Sequence, residues 1–462
     1  MTSQSSQSSQ SSQAGVNPKI FGAYDVRGVY PTDLNDETVY RIGRAFAQYL
    51  GVERIAVGHD MRISSPALAQ AFMRGITDQG TDAIDLGMTT TDELYFAVGK
   101  YGYPGGAMIT ASHNPKQYNG IKMCRADAVA ISSETGGFAV RDLAVSGQFA
   151  EPTRTGQITQ RDVSDAFVAH CLSFIDVAKV KPYKIAVDAG NGMAGLIVPR
   201  VFEQLPCELV PLYFELDGSF PNHPASPIEP ENTEELRRVV PAQHCDMGIA
   251  FDGDADRMFL IDEHGRLLGG DMVTALVAHS LLQTHPGATI LYNLICSRSV
   301  PEVIERDGGR AVRTRVGHSF IKAQMRQENA IFGGEHSGHF YFRDNWYADS
   351  GLIAFLIVLE LVSVSGKTVS QLVHEVDKRF RSGEINSEVH DQQERMAAIE
   401  RKFAGEGAQI DHLDGVTIGF PTWWANVRPS NTEPLLRLNV EADTQDELER
   451  RTAEVLAVIR QQ

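Results

Sequence analysis

Short apolar, β-branched runs alternate along this chain with amphipathic helical stretches, and each run stops at a polar or glycine-rich loop. The runs at 54–57, 184–187, 247–251 and 289–294 read as strands. After the first of them, Ser65-Pro66 reads as the cap of a helix that turns Leu68, Phe72 and Ile76 to one side, with proline at its first position. This alternation predicts α/β layers, and in open α/β sheets ligands bind at loops beyond the carboxyl ends of strands. At 462 residues the chain exceeds one ordinary core, so three or four packed units are expected. Ile-Ala-Val recurs at 55 and 185, and Ile-Ala-Phe stands at 249, a faint sign of duplicated units.

The end of the chain has a different pattern. Leu436, Leu438 and Val440 alternate with Arg437, Asn439 and Glu441, which predicts a strand with one buried face. Thr444-Gln445-Asp446-Glu447 then reads as a capping box before a terminal helix with Leu448, Val455 and Ile459 inward. Boundaries near 160, 264 and 377 divide the chain into α/β domains over 18–160, 161–264 and 265–377, followed by an α+β domain over 378–462. Residues 1–17, Ser/Gln-rich and without an apolar segment, read as a disordered tail rather than a signal peptide, with order beginning near Ile20.

Composition narrows the function classes. The formal net charge of −17 argues against wholesale binding to nucleic acid or anionic lipid. Any anionic substrate must be drawn into a local cationic pocket against that field. The five cysteines (Cys124, Cys171, Cys207, Cys245, Cys296) include no CxxC, which fits a reducing cytoplasm better than a disulfide framework or zinc ribbon. The most apolar stretch, 352–364, is interrupted by Glu360 and is shorter than the roughly 18–20 residues of a membrane span. A soluble monomer with small-molecule partners is expected.

Four clusters carry chemistry. Thr110-Ala111-Ser112-His113-Asn114-Pro115, followed by Asn119-Gly120-Ile121-Lys122, reads as an exposed hydroxyl at a loop apex with His113 or Lys122 to handle protons; a serine merely satisfying a turn is the alternative. Phe251-Asp252-Gly253-Asp254-Ala255-Asp256-Arg257 follows an apolar strand. Its carboxylates at i, i+2 and i+4 repel one another unless a cation lies between them, and an extended loop would bring them to one side. Oxygen ligands favour Mg²⁺ or Mn²⁺ over zinc. Gly333-Gly334-Glu335-His336-Ser337-Gly338-His339 offers close backbone approach with an acceptor and donors suited to sugar hydroxyls. Arg428-Pro429-Ser430-Asn431-Thr432-Glu433-Pro434 sets a guanidinium beside neutral donors, a phosphate cup or a capped turn. One cluster falls in each expected domain, which points to a central cleft built by all four.

These segments, in this order, resemble the α-D-phosphohexomutase superfamily, most closely its phosphomannomutase/phosphoglucomutase branch, over the chain from about residue 18 onward. The resemblance implies three related α/β domains and a smaller C-terminal α+β domain in a heart-shaped arrangement. It implies that Ser112 is the phosphoserine and that Asp252, Asp254 and Asp256 hold Mg²⁺ together with a phosphoserine oxygen. Glu335 and Ser337, within the loop that ends at His339, would read sugar hydroxyls. Arg428, Ser430, Asn431 and Thr432 would grip the phosphate that is not transferred. Tyr24 and Arg27, in Tyr24-Asp25-Val26-Arg27-Gly28, match an N-terminal substrate contact; Lys122 and Arg257 match residues of acid/base work and charge stabilisation; His318 lines the same cleft. Ile295 stands where bifunctional mannose/glucose enzymes often have a lysine, which favours glucose.

The implied reaction interconverts hexose 1-phosphate and hexose 6-phosphate through a 1,6-bisphosphate, with glucose 1,6-bisphosphate as intermediate and activator. Lys122 could serve as its base only with a lowered pKa, for which Mg²⁺ and Arg257 would be the cause. A Mg²⁺-dependent phosphomonoesterase with a serine nucleophile and a non-catalytic sugar-phosphate-binding protein are the competing expectations.

Overall fold

The computed structural model describes residues 15–430 and 435–461, apart from the His318 side chain. Four sheets follow one another along it. In the first, Arg54–His59 lies between the parallel strands Asp82–Met88 and Gly105–Ile109. Tyr118–Arg125 and Val26–Val29 extend it antiparallel on one side, and Ile158–Gln160 closes the other. In the second, Lys184–Asp188 lies between parallel Glu208–Leu212 and Met247–Phe251, continued antiparallel by Met258–Ile261 and Leu267–Leu268. In the third, Thr289–Asn293 lies between parallel Arg310–Thr314 and Phe332–Gly334, continued by Phe340–Phe342 and Ala348–Asp349.

One plan therefore recurs three times: a parallel trio whose last strand turns back into an antiparallel neighbour. The Ser112, Asp252–Asp256 and Glu335–His339 segments occupy that same turn in their respective domains. The Ile-Ala-Val sequences at 55 and 185 both belong to the middle strand of a trio. Ile249 pairs with Val187 in one sheet, so the third recurrence marks a neighbouring strand and not a further unit.

The C-terminal sheet is antiparallel throughout, ordered Phe380–Glu388, Leu435–Ala442, Trp423–Pro429, Val416–Gly419, Gln409–Asp411, with helices Gln392–Gly405 and Gln445–Ile459. Its core is its own, built on residues such as Ile399, Phe403, Trp423 and Leu438. By contrast, one apolar cluster runs through the other three domains, from Ala56 to Val376. The apolar helix Gly351–Ser365 is buried within that cluster. No single helix among the described residues is long and apolar enough to cross a membrane.

Several expectations are corrected. Val16 is buried and Asn17 caps the turn Pro18–Ile20, so the packed chain starts ahead of Ile20; residues 1–14 of the Ser/Gln tail lie outside the described residues. Leu267–Leu268 belongs to the second sheet, beyond the boundary placed at 264. Ser65 is the first residue of helix Ser65–Asp78, and its hydroxyl donates to Asp60 Oδ1 instead of capping. Thr444 does accept from the Glu447 amide, while the Glu447 carboxylate pairs with Arg450 and Arg451. The strand Leu435–Ala442 buries both faces at its end: Asn439 meets Arg428, and Glu441 meets Trp424 and Arg298.

Candidate active site

Ser112 follows the buried strand Gly105–Ile109 in a left-handed conformation, φ 49°. Two arginines hold its loop. Arg27, paired with Asp25, donates to Ala111 O at 2.6 Å and Asn114 Oδ1 at 2.9 Å. Arg62 donates to the carbonyls of Ser112 and Asn114 at 2.7 and 2.6 Å. Ser112 is not exposed: only 2% of its surface is accessible, because the acidic loop of the second domain covers it. A Cβ on Gly253 would lie 2.5 Å from Ser112 O, so only glycine permits this approach. The Ser112 hydroxyl donates to Asp252 Oδ2 at 2.8 Å and lies 3.2 Å from His113 Nδ1. The Arg257 charge, together with burial, holds the His113 pKa well below the ordinary imidazole value, so this ring is neutral.

Asp252, Asp254 and Asp256 are all buried, each with an oxygen within 4.8 Å of the others'. They converge through a turn and not through extended backbone: Ala255 adopts φ 64° and its amide donates to Asp252 O at 3.1 Å. Lys122 Nζ reaches Asp254 Oδ2 at 2.7 Å and Asp256 Oδ2 at 2.6 Å. Thr91 Oγ1 donates to the same Asp254 oxygen at 2.6 Å. Arg257 lies 3.5 Å from Asp252 Oδ2 and donates from Nε to His339 Nε2 at 3.1 Å. Asp254 Oδ1 and Asp256 Oδ1 are buried without a hydrogen-bond partner. Three buried carboxylates, two of them with an unpartnered oxygen, suit a hard divalent cation, which would take up lone pairs that nothing else satisfies.

Electrostatics follows from this crowding. Burial and the neighbouring carboxylates push Asp252 well up; burial and Asp254 push Asp256 to about 6. Burial opposes ionisation of Asp254 too, but the Lys122 charge and the Lys122 and Thr91 hydrogen bonds hold it below the usual range. For Lys122, burial favours the neutral amine, yet Asp254 and Asp256 outweigh it and raise the pKa well above the ordinary lysine value. The lowered pKa expected for a lysine base is thus not what this arrangement produces. Lys122 is held here as a charged donor to Asp254 and Asp256.

Glu335 is buried beneath the third loop, accepting from Tyr341 Oη at 2.6 Å, Gly317 N at 3.1 Å and Asn293 Nδ2 at 3.3 Å. Ser337 Oγ and His339 Nδ1 are 2.9 Å apart. These residues face a cavity of about 320 Å³ that also touches Tyr24, Arg257, Arg315, Arg428, Ser430 and Arg437. A second cavity, about 330 Å³, touches Ser112, His113, Lys122, Arg27 and Asp256, and shares Tyr24, Arg257 and His339 with the first. The two are halves of one cleft. Arg428 donates to Asn439 Oδ1 at 2.8 Å and pairs with Glu384, so its fork is anchored within the C-terminal sheet. Asn431 and Thr432 lie outside the described residues. His318 opens the helix His318–Glu328, and its side chain is likewise outside them. Ile295 is buried and offers no polar group.

Sequence reasoning passed over Arg62, Thr91, Asn293, Arg315, Tyr341 and Arg437. A signal existed for some of them. Arg62 and Arg315 each stand just past the carboxyl end of a parallel strand, Arg54–His59 and Arg310–Thr314, where ligand loops gather. Asn293 is the last residue of the parallel strand Thr289–Asn293 and shares that signal in part, whereas Arg437 lies within Leu435–Ala442, where nothing in its local pattern marks it.

Comparison with known proteins is consistent along the whole chain. Residues 18–144, 165–265 and 269–380 match the phosphoglucomutase/phosphomannomutase alpha/beta/alpha domains I, II and III, and 384–458 match the C-terminal domain. A Xanthomonas campestris protein described as phosphohexose mutases is 42% identical over 442 residues, covering 95% of this chain and 99% of the relative. A Salmonella montevideo phosphomannomutase is 41% identical over 452 residues, covering 96% and 99%. The crystal structure of a phosphoglucomutase/phosphomannomutase family protein from Burkholderia thailandensis superposes with a TM-score of 0.88 at 31% identity, covering 96% of this chain and 98% of that one. The chain belongs to the phosphoglucomutase/phosphomannomutase family of hexose-phosphate mutases.

Proposed function

We propose that this protein interconverts the 1- and 6-phosphates of a hexose by way of a phosphorylated Ser112 and a hexose 1,6-bisphosphate. The observation that carries this reading is the meeting of Ser112 Oγ with Asp252 at 2.8 Å, in a cleft that also contains Glu335, Ser337 and Arg428. Ser112, Asp252, Asp254 and Asp256 would hold one Mg²⁺, and the chemistry such an ion supplies is charge neutralisation at a transferring phosphoryl group. Arg257, 3.5 Å from Asp252, supports the same charge from the side of the sugar loop. Lys122 mediates the exchange by which the attacking sugar hydroxyl loses one proton and the departing serine oxygen gains one. His113, neutral, orients the Ser112 hydroxyl. Glu335, Ser337 and His339 accept from and donate to sugar hydroxyls, while Arg428 and Ser430, with Asn431, Thr432 and His318, bind the distal phosphate; Tyr24 and Arg27 close the cleft on the first domain's side.

For the sugar, the relatives' descriptions favour mannose phosphates. The glucose preference expected from Ile295 has only a buried apolar side chain behind it. We therefore take mannose phosphate as a substrate and glucose phosphate as its competitor. The test is a coupled assay on mannose 1-phosphate and glucose 1-phosphate, with and without glucose 1,6-bisphosphate, alongside intact mass measurement. Expected are isomerisation stimulated by bisphosphate and one added phosphate that Ser112→Ala abolishes. Stoichiometric release of inorganic phosphate without isomerisation would replace this reading by a phosphomonoesterase.

A further inference from the structure

Arg62 touches no cavity of the cleft, yet it makes more contacts to the Ser112 loop than any residue assigned there. It is 1% exposed, and its fork is spent on backbone: Nη2 donates to Ser112 O at 2.7 Å and Asn114 O at 2.6 Å, and Nη1 to Pro115 O at 3.0 Å and Tyr118 O at 3.1 Å. Its Nε lies 3.2 Å from Asp60 Oδ2, and the Arg62 amide donates to Asp60 Oδ1 at 2.9 Å. The second domain seals it in. The Phe220 ring lies 5.1 Å from the guanidinium, and a Cβ on Gly218 would stand 2.7 Å from Arg62 Cα.

A buried guanidinium that spans four carbonyls of one loop fixes the path of that loop, because each bond lost would leave a buried polar group unsatisfied. The loop has need of it. A non-glycine residue at φ 49° is a costly conformation that persists only when its surroundings over-determine it. The carbonyl that Arg62 binds on Ser112 is also the one that Gly253 rests against, so the same bond sets the seat of the acidic loop. We propose that Arg62 is the positioning residue of the phosphoryl-transfer centre: it locks Ser112 in its left-handed conformation and thereby aims the hydroxyl at the Asp252–Asp256 loop. This rests on the phosphoserine reading above.

Only a planar fork can meet four carbonyls, so a lysine keeps the charge and loses the function. Arg62→Lys should lower kcat for hexose-phosphate isomerisation about 10²-fold, the cost of a small misplacement of reacting atoms. KM should stay within about threefold, since the sugar and distal phosphate are held from other domains. The ³¹P resonance of phosphorylated Ser112 should broaden or split in this variant, while the folded fraction measured by circular dichroism stays that of the parent. In Arg62→Ala, methylguanidinium should restore part of kcat and methylammonium should not. Should the Arg62 variants not fold, Asp60→Asn, which leaves Arg62 in place and weakens its anchor, should lower kcat alone by a smaller factor. The proposal is overturned if Arg62→Lys retains kcat within about twofold, or if its loss matches the unfolded fraction with an unchanged ³¹P resonance. A wild-type protein inactive on every hexose phosphate would instead remove the phosphoserine reading.

Discussion

Around Ser112, three domains share one apolar core, whereas the C-terminal domain has its own core and meets the rest through charged side chains. Arg298 donates to Phe420 O at 2.9 Å and Pro421 O at 3.3 Å, and its amide donates to Glu441 at 3.1 Å. Arg379 pairs with Glu302 and Asp443, and Arg381 with Asp271 and Glu441. The apolar seam is held by area that water would have to re-cover, so it opens only at large cost. A charged seam can exchange its partners for water as it opens, and the return to water of Asp271 and Glu441, buried while it is closed, offsets much of the pairing lost. The chemical end of the cleft is thus built to hold atoms still. The C-terminal end is able to let go, which the reorientation of the proposed bisphosphate would require. The C-terminal domain is expected to close over ligand.

The largest expected effect lies at the rigid end. Asp254→Asn removes a carboxylate bonded to both Lys122 and Thr91, and should cost about 10³-fold in kcat and abolish stabilisation by Mg²⁺ in a thermal melt. Lys122→Met should cost about 10²-fold in kcat with little change in KM; intact turnover would remove its proton-transfer role. At the polar seam the pattern should invert. Arg298→Ala leaves the chemical centre untouched and should raise KM about tenfold with kcat nearly kept, because docking and not chemistry is weakened. Small-angle scattering should show a contraction with hexose phosphate that this variant loses; identical curves with and without ligand would erase the contrast between the seams. The smallest effect is on pH. Asp256 is raised from 3.8 to about 6, so the cation-free fold retains a proton that the unfolded chain gives up earlier, and its stability falls as pH rises through that window. A divalent ion binds the ionised triad, so the Mg²⁺-induced rise in Tm should be about 2 °C larger at pH 7 than at pH 5. A shift independent of pH would mean that the ion binds elsewhere.

How far the sequence could be read differed between these regions. The strands at 54, 184, 247 and 289 were legible because alternation and β-branching are local properties. The candidate loops were legible from their residue types, although only Asp252–Asp256 follows one of those four strands, the Ser112 and Glu335 loops following Gly105–Ile109 and Phe332–Gly334. The terminal strand misled: Asn439 and Glu441 look solvent-facing in a period-two pattern, yet both are buried against groups that the pattern does not contain. Arg62 stands at the end of a strand where a ligand loop could be suspected, but its bracing role was not legible. Its four partners lie some fifty residues further along, and no window of sequence holds both ends.

Residue types and their local order by themselves determined the α/β layering and the α+β ending and singled out four loops as candidates for chemistry, since strand periodicity, turn formation and ligand character are properties of neighbours in the chain. Only the tertiary structure decided that Ser112 is covered and not exposed, that Lys122 is held charged by Asp254 and Asp256, and that Arg62 braces the serine from behind. Burial, ion pairing and backbone strain depend on which distant segments come to share a space, and that is settled when domains pack.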